Sequence, residues 1–251
     1  MSGKPAAARV GLIIPSSNRM VEQEMAPAFP PGVTAHVTRL RMTGANHVAF
    51  DRLLPMIEEA ACALVDARCG AVAFHCTANS TEGGTAGERD ILAALARARA
   101  PQATTTITAI QRALDAFEAR RIVLLTPYSA ATTEHEAEFL RHAGYEVVAA
   151  RGFALAGSDA YCAAPPAFWR DRALAAAHPE ADAYLISCAN IAVFGVIEEL
   201  EAKLRRPVVT SNQAVIWDAL RLIGWQDCRR CPGRLFAAAA VDLPPGIAIG
   251  R

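Results

Sequence analysis

Three absences bound what this chain can be. The 251 residues carry no charge excess, with 25 Lys and Arg against 25 Asp and Glu. Without a basic surplus or a basic run, nucleic acid is not expected as a partner. No stretch approaches the roughly 18 uninterrupted apolar residues that span a bilayer. The first apolar run, residues 10–14, is also too short for a signal-peptide core. A soluble, cytoplasmic protein without a membrane partner is therefore expected. Finally, the chain has no Gly-x-Gly-x-x-Gly and no P-loop, and Gly83-Gly84 alone marks a loop, not a phosphate cradle.

What is present is a long alternation. Apolar, strand-like runs cover residues 10–14, 34–40, 71–75, 103–106, 122–126, 146–149, 183–187 and 207–210. Helical patterns cover 20–28, 49–67, 87–98, 109–119, 133–142, 166–177, 194–204 and 213–223. Continuous apolar strands separated by helices predict a parallel sheet covered on both faces. With 53% hydrophobic residues, a sizeable core is available.

The sequence also repeats itself. Arg9-Val-Gly-Leu-Ile-Ile-Pro15-Ser-Ser17 matches Arg121-Ile-Val-Leu-Leu-Thr-Pro127-Tyr-Ser129 at an offset of 112. The same offset carries Cys76 onto Cys188. Each cysteine closes an apolar run and opens a small, polar loop, Cys76-Thr-Ala-Asn79 and Cys188-Ala-Asn190. Further on, Pro101 and Leu114 match Pro207 and Leu220 at an offset of 106. The fold expected is α/β: two pseudo-symmetric, doubly wound parallel-sheet halves with the active site in the cleft between them. Residues 1–115 plus 211–251 would form the half carrying Cys76, and 116–210 the half carrying Cys188. Ligands of open α/β sheets bind at the carboxyl ends of strands, so the two thiols would face one cleft.

A thiolate is both base and nucleophile, and a helix N-terminus lowers the thiol pKa. Such a shift is expected for both cysteines. Two thiols on opposite faces of a carbon can move a proton from one side to the other. Alternatively, one can add to an activated double bond while the other handles the proton. Neither route needs a metal or an organic cofactor. Ser17 and Asn18, with Tyr128 and Ser129, lie at equivalent strand ends and are expected to line the cleft and bind a carboxylate. Thr210-Ser-Asn212 fits a helix cap and a ligand loop equally well.

The remaining cysteines and His75 offer less. Cys62 and Cys69 belong to an Ala-rich helix and read as core. Cys162 falls in a loop-like segment and has no assigned role. Cys228-Arg-Arg-Cys231 is a lone C-x-x-C, weak as a zinc site without a second pair. His75 points to the opposite strand face from Cys76 and reads as a core or surface residue.

At these segments the sequence resembles the Asp/Glu racemase superfamily, in the branch holding maleate cis–trans isomerase and arylmalonate decarboxylase. The carriers are Val10-Gly-Leu-Ile-Ile-Pro-Ser-Ser-Asn18, His75-Cys-Thr-Ala-Asn79, Leu125-Thr-Pro-Tyr-Ser129, Ser187-Cys-Ala-Asn190 and Val209-Thr-Ser-Asn-Gln-Ala214 with Trp217. The closing segment Pro232-Gly-Arg-Leu-Phe236 is similar too. The branch's decarboxylases resemble this chain at the second cysteine but have glycine at the first, so both thiols together follow the isomerase pattern. The resemblance implies that Cys76 adds to an alkene carbon and that Cys188 is its acid/base partner. It implies that Asn18 and Tyr128 hold substrate carboxylates, and that Thr77, Ala78, Ala189 and Asn190 supply backbone donors. The expected partners are a small carboxylate substrate and further copies of the chain, as a dimer or tetramer. One departure is visible. The isomerases carry a further Asn where this chain has Leu155-Ala-Gly-Ser-Asp-Ala160, and Asp159 there would repel a bound dianion. Racemisation, malonate decarboxylation and non-catalytic carboxylate binding are the other readings of the same residues.

Overall fold

The computed structural model describes residues 8–42, 48–225 and 231–238. The eight apolar runs become eight strands: β1 (Ala8–Pro15), β2 (Val33–Leu40), β3 (Ala71–Phe74), β4 (Ala103–Thr105), β5 (Arg121–Thr126), β6 (Glu146–Gly152), β7 (Ala183–Ile186) and β8 (Val208–Thr210). They form two four-stranded sheets of identical order, β2-β1-β3-β4 and β6-β5-β7-β8, and every pairing is parallel. The helices between them are α1 (Phe50–Asp66), α2 (Thr77–Glu82), α3 (Gly84–Arg97), α4 (Thr106–Asp115), α5 (Ala130–His142), α6 (Gly157–Ala163), α7 (Pro166–Ala175), α8 (Ile197–Leu204) and α9 (Ser211–Leu222).

The repeat is visible in individual hydrogen bonds. Ile13 pairs with Phe74 in one sheet, and Leu125 with Ile186 in the other. Just beyond, His75 N donates to Ile13 O and Ser187 N donates to Leu125 O, both at 2.8 Å. At the strand entrances Gly70 N donates to Arg9 O, and its counterpart Asp182 N donates to Arg121 O. Every one of these partners is related by the 112-residue offset. In the last strands Phe74 pairs with Thr105 and Ile186 with Thr210, so the structural offset there is 105, not the 106 of the proline and leucine matches.

Alternation along the strands builds the core. Val10, Leu12 and Ile14 join Ile122, Leu124 and Leu185 in one cluster that spans both sheets and includes Ile107, Ile110 and Trp217. The intervening Ile13 joins Val72 and Phe74 under α1 and α3. Val123 and Leu125 join Trp169, Tyr184 and Leu200 under α7 and α8. Successive strand side chains point to opposite faces, so each sheet has one face in the shared core and one under its own helices. α9 packs on α4, β3 and β4, which sets it into the shared core.

Three local expectations are corrected. Residues 20–28 form not a regular helix but a π-turn at Val21–Met25 and a 3-10 turn at Ala26–Ala28. The Asn18 carboxamide takes the Met20 and Val21 N–H groups, and Pro27 has none to give. Cys62 is exposed, whereas Cys69 is buried. The buried face of α1 is Leu53, Ile57, Ala60, Ala61 and Leu64, and Cys62 lies off that stripe. Cys162 belongs to α6, not to a loop. Cys228 lies outside the described residues.

Candidate active site

The carboxyl ends of β1, β3, β5 and β7 open onto one cavity of about 710 Å³. Its wall includes Cys76 and Cys188, together with Ser17, Asn18, Thr77, Ala78, Tyr128, Ser129, Ala189 and Asn190. All ten residues read from the sequence as site candidates therefore meet in a single space. The thiols come from matching strand ends of the two sheets.

Cys76 is half-buried and occupies the N-cap of α2, a helix absent from the sequence reading. The sequence predicts a loop at Thr77-Ala-Asn-Ser-Thr81, because short polar residues favour turns. Here the segment turns at once into a single helical stretch, begun by Ser80 N donating to Cys76 O at 3.0 Å. The turn brings Asn79 back over the sulfur, and Cys76 Sγ donates to Asn79 Oδ1 at 3.0 Å. Asn79 Nδ2 in turn donates to Glu82 Oε2 at 2.8 Å. Asn79 and Glu82 also line the cavity. Both were invisible as site residues without the helix, since only i, i+3 spacing on a helix brings them to the thiol.

Cys188 is buried, at 4% exposure. Asn190 N donates to its sulfur at 3.3 Å, and Tyr128 packs in the same cluster. Two reciprocal amide straps tie its loop to the first half. Asn18 Nδ2 donates to Ala189 O at 2.8 Å, and Asn190 Nδ2 donates to Ser17 O at 3.3 Å. Asn190 Oδ1 also accepts from Arg19 N and from Cys162 Sγ. Asn18 and Asn190 thus hold the mouth of the cleft together as well as facing it. Glu24 adds a third strap, its carboxylate accepting from Val193 N, Phe194 N and Asn212 Nδ2.

The thiols are not shifted towards thiolate, contrary to expectation. Burial pushes Cys76 up to about 11 and Cys188 up to about 12. The Asn79 N–H lowers the first, and Tyr128 and the Asn190 N–H lower the second, but desolvation of a charged sulfur outweighs these donors. Tyr128 is raised well above its ordinary range by burial and then by the neighbouring Cys188. Both sulfurs are therefore neutral at pH 7.

The other candidates separate cleanly. His75 is fully buried, with Nδ1 facing Thr106 Oγ1 at 3.1 Å and Nε2 facing Asn212 Oδ1 at 2.9 Å. Burial lowers its pKa to about 4, so it is a neutral core histidine. Thr210 is the N-cap of α9, with Gln213 completing a capping box, which resolves Thr210-Ser-Asn212 as a cap and a strap anchor. Asp159 does not face the cleft. Ser158 lines the cavity, while Asp159 points outward, 93% exposed and paired with Arg19 at 2.6 Å. Among the described residues no group of three or more His, Cys, Asp or Glu side chains could hold a metal, and no helix is long and apolar enough to cross a membrane.

The remaining wall is mostly apolar, with Met42, Val48, Ala131, Ala154 and Leu155 and the Tyr161 ring edge-on to Tyr128 at 5.9 Å, interrupted by Thr132 and His135. Among the lining residues there is no Lys or Arg. An anion here would rest on neutral donors, including the Thr77 and Ala78 N–H groups, which have no partner within α2.

This architecture is shared with known proteins. The chain is 28% identical over 230 residues to an arylmalonate decarboxylase of Bordetella bronchiseptica, covering 90% of this chain and 95% of that one. It is 26% identical over 228 residues to a maleate isomerase of Nocardia farcinica, covering 85% and 89%. A crystal structure of a maleate isomerase from Pseudomonas putida S16 with maleate superimposes with a TM-score of 0.81 at 25% identity, covering 92% of this chain and 98% of that one. Both names belong to enzymes. The arylmalonate decarboxylase family matches residues 10–236, and the chain belongs to that family.

Proposed function

We propose that this protein is a cofactor-independent cis–trans isomerase of a small unsaturated dicarboxylate, of the maleate-to-fumarate type. The observation that carries the reading is the pair of thiols, Cys76 and Cys188, that line one cavity from matching strand ends of the two sheets. In this reading Cys76 gives up its S–H proton to solvent as its sulfur adds to one alkene carbon, forming a C–S bond. Cys188 delivers its proton to the neighbouring carbon, giving a succinyl thioether. The former double bond is now single and rotates. Cys188 then takes a proton back, the C–S bond breaks and the trans diacid leaves. Asn18, Tyr128 and the backbone N–H groups of Thr77, Ala78, Ala189 and Asn190 hold the carboxylates. Donors fixed in place stabilise the developing charge better than mobile water does. The outward-turned Asp159 removes the repulsion that its place in the sequence suggested.

A second reading is favoured by a different observation. A cavity of about 710 Å³ walled by Met42, Val48, Leu155 and Tyr161 has room and apolar surface for more than a four-carbon diacid. That suits decarboxylation of an arylmalonate, or racemisation of a bulkier carboxylate, with Cys188 as proton donor. Incubation with maleate, followed by intact-protein and peptide mass spectrometry, separates these readings. The isomerase reading expects a substrate-plus-protein adduct on Cys76 together with fumarate. Turnover of a phenylmalonate with no adduct on Cys76, and none of maleate, would replace it with the second.

A further inference from the structure

Within electrostatic reach of Cys188 lies a carboxylate that the chemistry above does not use. Glu136 sits on α5, is 1% exposed, and neither of its oxygens meets a protein donor at hydrogen-bonding geometry. An unpaired buried carboxylate is among the more expensive groups a core can hold. Among the described residues it is the only acidic side chain with both oxygens left this way. Its surroundings belong to the site. The Ser187 hydroxyl is the polar group that favours its charged form, and Ser187 immediately precedes Cys188. A chain of hydroxyls continues from there, Ser187 to Ser211 at 3.4 Å and Ser211 to Thr77 at 3.0 Å, reaching the residue after Cys76. Glu136 also acts electrostatically on both Cys188 and Tyr128.

We propose that Glu136 is a positioning residue that sets the protonation state of Cys188. The buried Glu136–Cys188 pair holds a single negative charge and passes it between carboxylate and sulfur. When Cys188 ionises, its S–H bond breaks and an O–H bond forms on Glu136, so the pair's total charge is unchanged. Two adjacent buried anions would repel each other strongly in a medium of low polarity. A neutral carboxyl beside a thiolate does not. Burial raises Glu136 to about 7, which makes it a proton acceptor near neutrality. Its helix packs on α2, β5 and β6. Their charged residues are Glu82 on α2, Arg121 on β5, and Glu146 and Arg151 on β6. None of the four is among the causes of the Glu136 shift, which are burial and Ser187 alone.

The proposal builds on the acid/base role given to Cys188, but its test reads the thiol itself and needs no substrate. Iodoacetamide labelling of Cys188 is followed by peptide mass spectrometry across about pH 6 to about pH 9. For an isolated thiol the rate climbs about tenfold per pH unit below its pKa. In the unaltered protein the climb should break near pH 7 and flatten, because the charge then resides on the carboxylate. In Glu136→Gln the break should vanish, leaving labelling several-fold faster than in the unaltered protein above about pH 8. Superimposable profiles would overturn the proposal. Should Glu136→Gln not fold, infrared spectroscopy of the unaltered protein with 13C-labelled glutamate decides instead. A protonated glutamate band at about pH 6, where ordinary glutamates near 4.3 are ionised, should disappear by about pH 8. Its absence at pH 6 would equally overturn the proposal.

Discussion

The two strand ends that carry Cys76 and Cys188 are near copies in backbone and unlike in chemistry. Each cysteine lies two positions beyond its strand, and the residue before it makes the same hydrogen bond to the neighbouring strand. Around them everything differs. Cys76 is half-buried, caps a helix and donates to a carboxamide at its own helix's next turn. Cys188 is buried against Tyr128 and receives an N–H from Asn190. Duplication of a βα unit brings two thiols from matching strand ends to one cavity. The loops that follow leave one half-buried and held by its own helix, and the other buried beside Tyr128. Such asymmetry suits a division of labour between adding sulfur and proton carrier.

The largest expected effect tests whether both are needed. Cys76→Ala and Cys188→Ala should each lower turnover of the true substrate by about 10³-fold or more, because a nucleophile and its proton partner act as a unit. If Cys76→Ala retains activity while Cys188→Ala does not, the pair is not a working pair, and single-thiol proton delivery replaces it.

Next come the two buried tryptophans, which separate the halves by packing. Trp217 lies in the core shared by both sheets, and Trp169 in the cluster of the second half alone, edge-on to Phe153 and Phe168. Replacement of either by Ala should destabilise by about 3–5 kcal/mol. Hydrogen exchange then sharpens the comparison. Trp217→Ala should raise exchange in β1 and β3 as well as β5 and β7, while Trp169→Ala should raise it mainly in β5–β8. Equal patterns would mean the two sheets do not unfold as distinguishable units.

The halves should also answer pH with opposite signs. His75 in the first half is lowered to about 4 and Glu136 in the second is raised to about 7. A histidine depressed in the fold stabilises fully above its unfolded value of 6.5, and that stability drains as pH falls from 6.5 towards 4. A glutamate raised in the fold stabilises below its unfolded value of 4.5, and that stability drains as pH climbs from 4.5 through 7. Each linkage is worth roughly 3 kcal/mol across its window. Chemical denaturation at a series of pH values should show His75→Gln less sensitive to acid than the unaltered protein. Glu136→Gln should be less sensitive to the rise towards neutrality. The same slope in both variants would refute the assignment.

The smallest effect concerns Asn79. Its loss removes one hydrogen bond from a half-buried thiol, worth about 1 kcal/mol. The carboxamide oxygen accepts from the S–H and so favours the neutral thiol, while the Asn79 N–H that favours thiolate survives the change. Asn79→Ala should therefore speed labelling at Cys76 by several-fold at most, with Cys188 unaffected. A change at Cys188 would show that the two loops are mechanically coupled.

Much of this was legible in the chain. All eight strands begin and end close to their apolar runs, since a strand buried on both faces needs little beyond continuous apolar residues. The offset of 112 located both cysteines and the Ser17/Ser129 pair. Less legible were α2 and α6, too short and too polar for periodicity to show. With them went Glu82, Tyr161, the contact of Asn79 with the thiol and the place of Cys162.

Sequence by itself determined the duplicated α/β plan, because hydrophobic patterning is a local property repeated in each βα unit. It also determined that two thiols terminate equivalent strands. Only the tertiary structure decided their ionisation. Helix-end donors favour thiolate and burial opposes it, and no spacing along the chain says how much water reaches each sulfur. The same holds for Asp159, which a linear reading points into the cleft and the folded chain turns outward onto Arg19. Charge placement depends on what packs beside a group in space, and that is settled only when distant segments meet.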